Sequence, residues 1–163
     1  MSIKNNIKIK YENIKPKNYR DFKIGIIGAG NIIENSHLPI YIKEGLNIVN
    51  IFDVDLNKAK KLKKKFNIDK YSINLNEFLN DNNIDIVDIA VPAEFNKDLF
   101  LKTLKKGKNI LIQKPLANNI KAAKEILKHY NKSTLKANVN HQMRYSPSIM
   151  AAKNILKKKL LDS

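Results

Sequence analysis

Short apolar runs alternate with amphipathic segments along most of the 163-residue chain. The apolar runs are too short for buried helices and predict strands. They lie at residues 23–27, 46–52, 85–91 and 109–112, with a weaker run at 135–139 and a minor one near 70–72. Between them, apolar residues spaced three and four apart predict helices. These helices are expected at 56–66, 74–79, 95–104 (ending at Gly107) and 120–130.

The alternation of strands and helices predicts the fold class. Successive βαβ units form a parallel sheet, and right-handed crossovers place helices on both of its faces. We therefore expect an α/β, Rossmann-type, doubly wound parallel sheet over residues 23–145, preceded by an N-terminal extension at 1–22. The helix faces expected to pack on the core are Leu56, Ala59, Leu62 and Phe66; Phe95, Leu99, Phe100, Thr103 and Leu104; and Ile120, Ala123, Leu127 and Tyr130.

Two glycines and a carboxylate mark the ends of the first two strands. Gly28 allows a tight turn, and Gly30 lets the backbone approach a pyrophosphate at a helix N-terminus. Asp53 can accept both adenine-ribose hydroxyls, and it repels a 2′-phosphate. Ile33 stands where a third small residue would let the helix pack closely. A plain turn followed by an ordinary helix start is the alternative, but the two features together predict a dinucleotide site.

The next two strand ends carry a proline and a lysine. Val91 and Pro92 close one strand and open a helix, which is ordinary for proline. The sequence Gln113-Lys114-Pro115 follows the other strand. A solvated surface residue is the ordinary interpretation of any lysine in so lysine-rich a chain. Lys114 differs by position, because the carboxyl end of a parallel strand faces the ligand crevice.

Five segments in order resemble the glucose–fructose oxidoreductase and inositol dehydrogenase family, Gfo/Idh/MocA. The resemblance runs from Lys23 to about Ser163. IGIIGAGNI, followed by HLP, resembles the nucleotide loop and first helix of the family, and FDVDLNKAKKLKKKF resembles the next strand and helix. The other segments are DIVDIAVPAEFN, GKNILIQKPLA, which is similar to the Glu-Lys-Pro signature, and NHQMRYSP.

The resemblance implies an NAD-dependent oxidoreductase that transfers hydride at a CH–OH group of a sugar, cyclitol or nucleotide-sugar. Lys114 would be the catalyst, an ammonium that polarises a carbonyl or stabilises an alkoxide. NAD is expected rather than NADP because Val54, not arginine, follows Asp53, although Lys58, Lys60 and Lys61 could attract a 2′-phosphate. The peptide bond between Lys114 and Pro115 is a candidate cis bond. The cofactor contacts expected are Gly28, Gly30, Asn31, Ile32, Asp53, Val91, Pro92, Asn96, Gln113, Lys114, Asn140 and Arg144, the last two near the nicotinamide.

The chain departs from the family pattern in residues and in length. Asn96 stands for the usual histidine, and Gln113 for the usual glutamate, which removes a negative charge beside Lys114. Family members continue for roughly as long again, into a second α/β domain that supplies most substrate contacts and the oligomer interface. Residues 146–163 are then a linker helix toward that missing domain, and an oligomer is expected only with it.

These departures leave alternatives open. The chain is a fragment, a truncated gene product or a one-domain relative. Its function is either that of an oxidoreductase domain or that of a non-catalytic nucleotide-binding or interaction remnant. The encoding DNA discriminates between them: a reading frame that continues past Ser163 supports the enzyme, and a stop codon supports the remnant.

The net charge of +16 changes this interpretation little. Among 31 basic residues only Arg20 and Arg144 are arginines, whereas nucleic-acid readers rely on arginine and exposed aromatic residues. Lys, Asn and Ile share AT-rich codons, and the runs KKLKKKF and LKKKLL have the spacing of solvated helix faces. No nucleic-acid partner is expected; a nucleic-acid binder would be retained on heparin with strong salt dependence.

Other compositional features exclude further classes of protein. There is no cysteine, so a disulfide framework and a thiolate metal site are excluded, and no metal is expected. No apolar run reaches the roughly 18 residues of a membrane span, and the N-terminus has no continuous apolar segment like a secretory signal. The sequence predicts a cytoplasmic protein without a membrane partner.

Overall fold

Six strands form one parallel sheet in the computed structural model, which describes residues 17–157. The strands are β1 Lys23–Ile27, β2 Asn47–Phe52, β3 Lys70–Tyr71, β4 Ile86–Ile89, β5 Asn109–Gln113 and β6 Ala137–Asn140. Their order in the sheet is β3-β2-β1-β4-β5-β6, and every neighbouring pair is parallel. This is the strand order of a dinucleotide-binding Rossmann fold, so the predicted fold class is confirmed.

The helices connect the strands as predicted. They are α1 Leu38–Lys43, α2 Leu56–Phe66, α3 Leu75–Leu79, α4 Ala93–Lys105, α5 Ile120–Tyr130 and α6 Pro147–Lys157, with a π-helical turn at Ile33–His37 and a 3-10 helix at Gln142–Tyr145. Asp55, Asn74 and Asn119 cap α2, α3 and α5 by accepting a backbone N–H near the start of each helix. Such side-chain caps satisfy donors that the helix itself leaves free.

Apolar clusters cover both faces of the sheet. In β1, Ile26 belongs to one cluster and the next residue, Ile27, to the other. Both side chains are fully buried, because successive residues of a strand point to opposite faces. A strand buried on both faces explains why the parallel strands appear in the sequence as continuous apolar runs.

The structure corrects the predicted core face of α5. Ile120 is 75% exposed and Leu127 48% exposed, whereas Ala122 and Ile126 are buried. The spacing of apolar residues identified a helix correctly. It placed Ile120 and Leu127 on the core face wrongly, because α5 also carries apolar residues on its outer side, whereas Tyr130 packs against the core as expected.

Ile33 does not keep the first helix off the sheet. Its side chain is completely buried in the core. The segment that begins there, Ile33–His37, is π-helical rather than α-helical, and π-helical turns occur frequently at functional sites. The wider turn coincides with the large residue, so the position that family members fill with a small residue is here part of the packed core.

Packing divides the chain into two units. Residues 18–140 form one, and residues 141–157 belong to the other, which contains the 3-10 helix and α6. Residues 1–16 of the predicted N-terminal extension at 1–22, and residues 158–163 of the predicted linker helix with most of the second basic run, lie outside the described residues. Within residues 17–157, no helix is both long and apolar enough to cross a membrane.

Candidate dinucleotide-binding cleft

A cleft of about 560 Å³ lies at the carboxyl ends of β1, β2 and β4. β1 and β4 are neighbours at the point where the strand order reverses, which is where ligands bind in open α/β sheets. Five predicted site residues line it: Gly28, Gly30, Asp53, Val91 and Pro92. The sheet topology therefore brings together residues that are up to 64 positions apart in the sequence.

Asp53 is joined directly to the loop after β1. Its Oδ2 atom accepts a hydrogen bond from the backbone N–H of Ala29 at 2.6 Å, and its Oδ1 atom accepts from the N–H of Asp55 at 2.8 Å. An ionised carboxylate offers about four acceptor positions, so each oxygen keeps a lone pair for a further donor. The predicted proximity of Asp53 to the glycine loop is confirmed, and the carboxylate can still accept hydroxyl groups from a ligand.

The two glycines of the loop have different physical roles. Gly28 has a φ of +104°, and a Cβ atom there would lie 2.4 Å from the carbonyl oxygen of Ala90. Only glycine fits that position. A Cβ atom on Gly30 would meet nothing within 4 Å, so the space beside this backbone is open. An open backbone surface at a helix N-terminus is what a pyrophosphate group requires, and the loop therefore fits a dinucleotide.

A second, smaller cavity of about 350 Å³ adjoins the loop and is lined by residues that include Asn31, Glu34 and Lys58. Hydrogen bonds from Lys65 and Lys61 hold the pKa of Glu34 below its usual value. Both lysines therefore have a carboxylate partner.

Lysines near Asp53 differ in their access to the main cleft. Lys61 pairs with Glu34 at 3.1 Å, and the Nζ atom of Lys60 lies over the ring of Tyr71, 5.7 Å from its centroid. Lys58 lines the main cleft together with Asp53. Of the three lysines that the sequence placed near a possible 2′-phosphate, Lys58 is therefore the one that faces this ligand space.

Lys114 is exposed directly after β5, and its peptide bond to Pro115 is cis, as predicted. Asn96 lies under the same segment. Its Nδ2 atom donates to the carbonyl oxygen of Pro115 at 2.8 Å, the side chain is 1% exposed, and its Oδ1 atom has no hydrogen-bond partner among residues 17–157. Asn96 thus holds the backbone of the segment that contains Lys114. For its side chain to contact a cofactor, the buried amide would have to give up its hydrogen bond to Pro115.

The remaining predicted site residues are not among those that line the main cleft. Ile32 is 44% exposed beside the loop. Gln113 and Asn140, at the ends of β5 and β6, direct their amide groups to the ring of His37. Arg144 is exposed in the 3-10 helix of the other packing unit. Their cofactor contacts stay predictions.

Sequence reasoning missed two features of the site. Phe95, assigned to the core face of its helix, is 54% exposed and lines the cleft. His37 and Asp88 form a buried pair at 2.6 Å. The signal for this pair was the position of Asp88 within an apolar strand, because a buried carboxylate needs a polar partner.

Residues 22–141, more than half of the chain, match the family model described as "Oxidoreductase family, NAD-binding Rossmann fold". The chain belongs to the Gfo/Idh/MocA family. The uncharacterized protein YMR315W of Saccharomyces cerevisiae is 34% identical over 139 residues, covering 83% of this chain and 40% of that protein. The scyllo-inositol 2-dehydrogenase (NAD(+)) of Bacillus subtilis is 27% identical over 109 residues, covering 67% of this chain and 32% of the dehydrogenase.

Solved structures of the Gfo/Idh/MocA type have the same fold. The myo-inositol dehydrogenase from Lactobacillus casei, crystallised with NAD(H) and myo-inositol, matches this chain with a TM-score of 0.79 and 26% identity. The match covers 84% of this chain and 41% of that one. The chain therefore spans less than half the length of these relatives, and it corresponds to their NAD-binding domain.

Proposed function

We propose that this domain binds NAD in the cleft between the Gly28–Gly30 loop and Asp53, as the cofactor half of an oxidoreductase. The observation that carries the proposal is the 2.6 Å hydrogen bond from the Ala29 N–H to Asp53. It joins the loop that would hold the pyrophosphate to the carboxylate that would hold the adenine ribose. The open space beside Gly30 supports the same assignment.

NAD is the preferred cofactor in this proposal. The carboxylate of Asp53 would meet a 2′-phosphate with like charge, which disfavours NADP. Lys58 lines the same cleft and opposes that effect, because its ammonium attracts a phosphate. In this proposal the carboxylate dominates, since two backbone donors fix it beside the loop, whereas the ammonium of the exposed Lys58 already has a carboxylate partner, Asp55, at 3.8 Å.

The reaction proposed for the whole oxidoreductase is hydride transfer at a CH–OH group of a sugar, cyclitol or nucleotide-sugar. The bound nicotinamide supplies the hydride chemistry. Lys114 supplies a positive charge at the substrate oxygen, and the buried Asn96 fixes the backbone that carries it. Substrate contacts and oligomer formation belong to a second domain in this proposal, and the location is cytoplasmic.

A non-catalytic nucleotide-binding domain is the second candidate. It is favoured by Gln113 and Asn96, whose amides are engaged within the fold by His37 and Pro115, and by the absence of an ion pair to Lys114 among residues 17–157. In both functions the cleft binds a dinucleotide. They differ in whether Lys114 contributes to turnover.

A comparison of Asp53→Asn with Asp69→Asn tests the proposed cleft. Asp69 is the control, because it is an exposed carboxylate directly before β3 and does not line the cleft. Hydrogen bonds to a charged group contribute about 1.5–3 kcal/mol, so Asp53→Asn should weaken NADH binding by roughly tenfold or more in a fluorescence titration. Equal affinities of the two variants would place the ribose elsewhere.

A further inference from the structure

A buried hydrogen-bonded network lies outside the residues that line the dinucleotide cleft. Its centre is His37, in the π-helical turn, whose Nδ1 atom is 2.6 Å from Oδ2 of Asp88 in β4. The hydroxyl of Tyr41 donates to the same oxygen at 2.9 Å. Asp88 is completely buried and His37 is 8% exposed. Two donors on one carboxylate oxygen hold the imidazole ring in a fixed orientation.

The other ring nitrogen of His37 faces two amide groups. Its Nε2 atom lies 2.7 Å from Nε2 of Gln113 and 3.4 Å from Nδ2 of Asn140. An amide nitrogen is only a donor, so Nε2 of the histidine must accept and carries no proton. The single proton of the neutral ring is then on Nδ1, where it donates to Asp88. A carboxylate that fixes the tautomer of a histidine in this way sets what the opposite nitrogen can do.

The network ends at the segment that carries Lys114. Gln113 is the last residue of β5 and immediately precedes the lysine, and its register partner Asn140 is the last residue of β6. Asn96 holds the same segment through the carbonyl oxygen of Pro115. The backbone around Lys114 is therefore held at the side chain before it and at the carbonyl after it.

We propose that His37 is a positioning residue for Lys114. Asp88 and Tyr41 fix its ring as the Nδ1–H tautomer, and the free Nε2 atom accepts from Gln113 and so fixes the strand end that presents the lysine. Glutamine at position 113 fits this arrangement, because a glutamate could not donate to Nε2. The role of Lys114 as a catalyst rests on the proposed function. The tautomer of His37 and the fixed backbone of residues 113–115 do not depend on it.

The tautomer is measured by long-range ¹H–¹⁵N NMR on the 163-residue chain labelled with ¹⁵N-histidine. The chain has three histidines, and the His37 signals are assigned by their loss in His37→Gln. We expect a protonated Nδ1 and an unprotonated Nε2 in the wild type, and a proton on Nε2 in Gln113→Glu, where the carboxylate can only accept. A proton on Nε2 of the wild-type ring would overturn the proposal.

The positioning role is measured by hydrogen exchange of the backbone amides of Ile112 and Gln113, the last two residues of β5, which pair with β6. His129→Gln is the matched control, because His129 is an exposed residue near the end of α5. We expect exchange to rise about tenfold in His37→Gln, the change that corresponds to about 1.4 kcal/mol, and to be unchanged in His129→Gln. Equal exchange in both variants would show that His37 does not hold the segment.

Neither readout requires a bound cofactor. A failure of this proposal is therefore distinguishable from a failure of the proposed function, which is measured separately by titration of the wild-type chain with NAD.

Discussion

The space available for a Cβ atom distinguishes the two glycines of the loop after β1. Gly28 is required by the fold, since a Cβ atom would collide with the Ala90 carbonyl. Gly30 is not required by the fold, since its Cβ position is empty. The glycine pattern in the sequence is thus made of one glycine that the fold requires and one glycine whose open backbone surface the proposed pyrophosphate would use.

The two glycines should respond differently to alanine. Gly28→Ala forces a side chain into a φ of +104° and a 2.4 Å contact, which should lower the free energy of unfolding by about 1–3 kcal/mol. Gly30→Ala should unfold like the wild type but bind NAD more weakly, because its methyl group occupies the space of the pyrophosphate. Thermal unfolding and cofactor titration of both variants measure this. A Gly30→Ala variant with normal affinity would remove the pyrophosphate from this loop.

The sequence predicted the residues of the cleft better than those of the buried network. Gly28, Gly30 and Asp53 stand at strand ends that apolar runs locate, and the parallel sheet then brings them together. His37 contacts Asp88, 51 positions away, and Gln113, 76 positions away. Such pairings depend on how helices pack on the sheet, which local patterns do not encode.

At the scale of elements, the periodicity of apolar residues located the helices but did not predict which of their residues are buried. The interval predicted for α2 matches its observed span, Leu56–Phe66, because one face is apolar and the other is rich in lysine. In α5 the apolar residues spread over two faces, and Ile126 rather than Leu127 was buried. The π-helical turn at Ile33–His37 has no local signal, since it accompanies the packing of a large residue against β1.

Tyr41 joins α1 to Asp88 of β4, and this contact should make the stability of the fold depend on pH in the alkaline range. Burial, and then the charge and hydrogen bond of Asp88, raise the pKa of Tyr41 above its ordinary value. An unfolded tyrosine ionises near pH 10. A raised folded pKa contributes stability that is fully present below about pH 10 and is lost as the pH rises above it.

Tyr41→Phe should therefore change both the free energy of unfolding near pH 7 and its dependence on pH. Losing a hydrogen bond to a carboxylate should cost about 1.5–3 kcal/mol near pH 7. Above about pH 10 the free energy of unfolding should fall less steeply in the variant than in the wild type. Urea unfolding at several pH values measures both, with Tyr145→Phe, at a 69% exposed position, as the control. Parallel pH curves for Tyr41→Phe and the wild type would show that Tyr41 does not ionise on unfolding.

At the scale of the whole molecule, the proposed function makes this site one wall of a catalytic cleft, with the second domain supplying the other. Holding a substrate in reactive geometry with water excluded can supply roughly 7–11 kcal/mol of a reaction barrier. Lys114 is exposed directly after the carboxyl end of β5, so solvent screens its charge. The residues proposed to bind the pyrophosphate and the ribose all belong to this domain, so cofactor binding should persist in a chain that lacks turnover.

Purified residues 1–163 should thus produce no NADH at ordinary enzymatic rates. The assay combines NAD with a panel of polyols, cyclitols and nucleotide-sugars, and Lys114→Ala provides the background rate. Turnover that depends on Lys114 would show that this chain is a complete catalyst and that a second domain is not needed for the chemistry.

The central claim is that the cleft beside Gly30 and Asp53 binds NAD. Isothermal titration calorimetry of the wild-type chain with NAD, and separately with NADP, tests it most directly. We predict saturable binding at one site, tighter for NAD because Asp53 repels the 2′-phosphate, with the difference reduced by Lys58. A folded chain that binds neither cofactor would contradict the dinucleotide site, and equal or reversed affinities would contradict the role of Asp53.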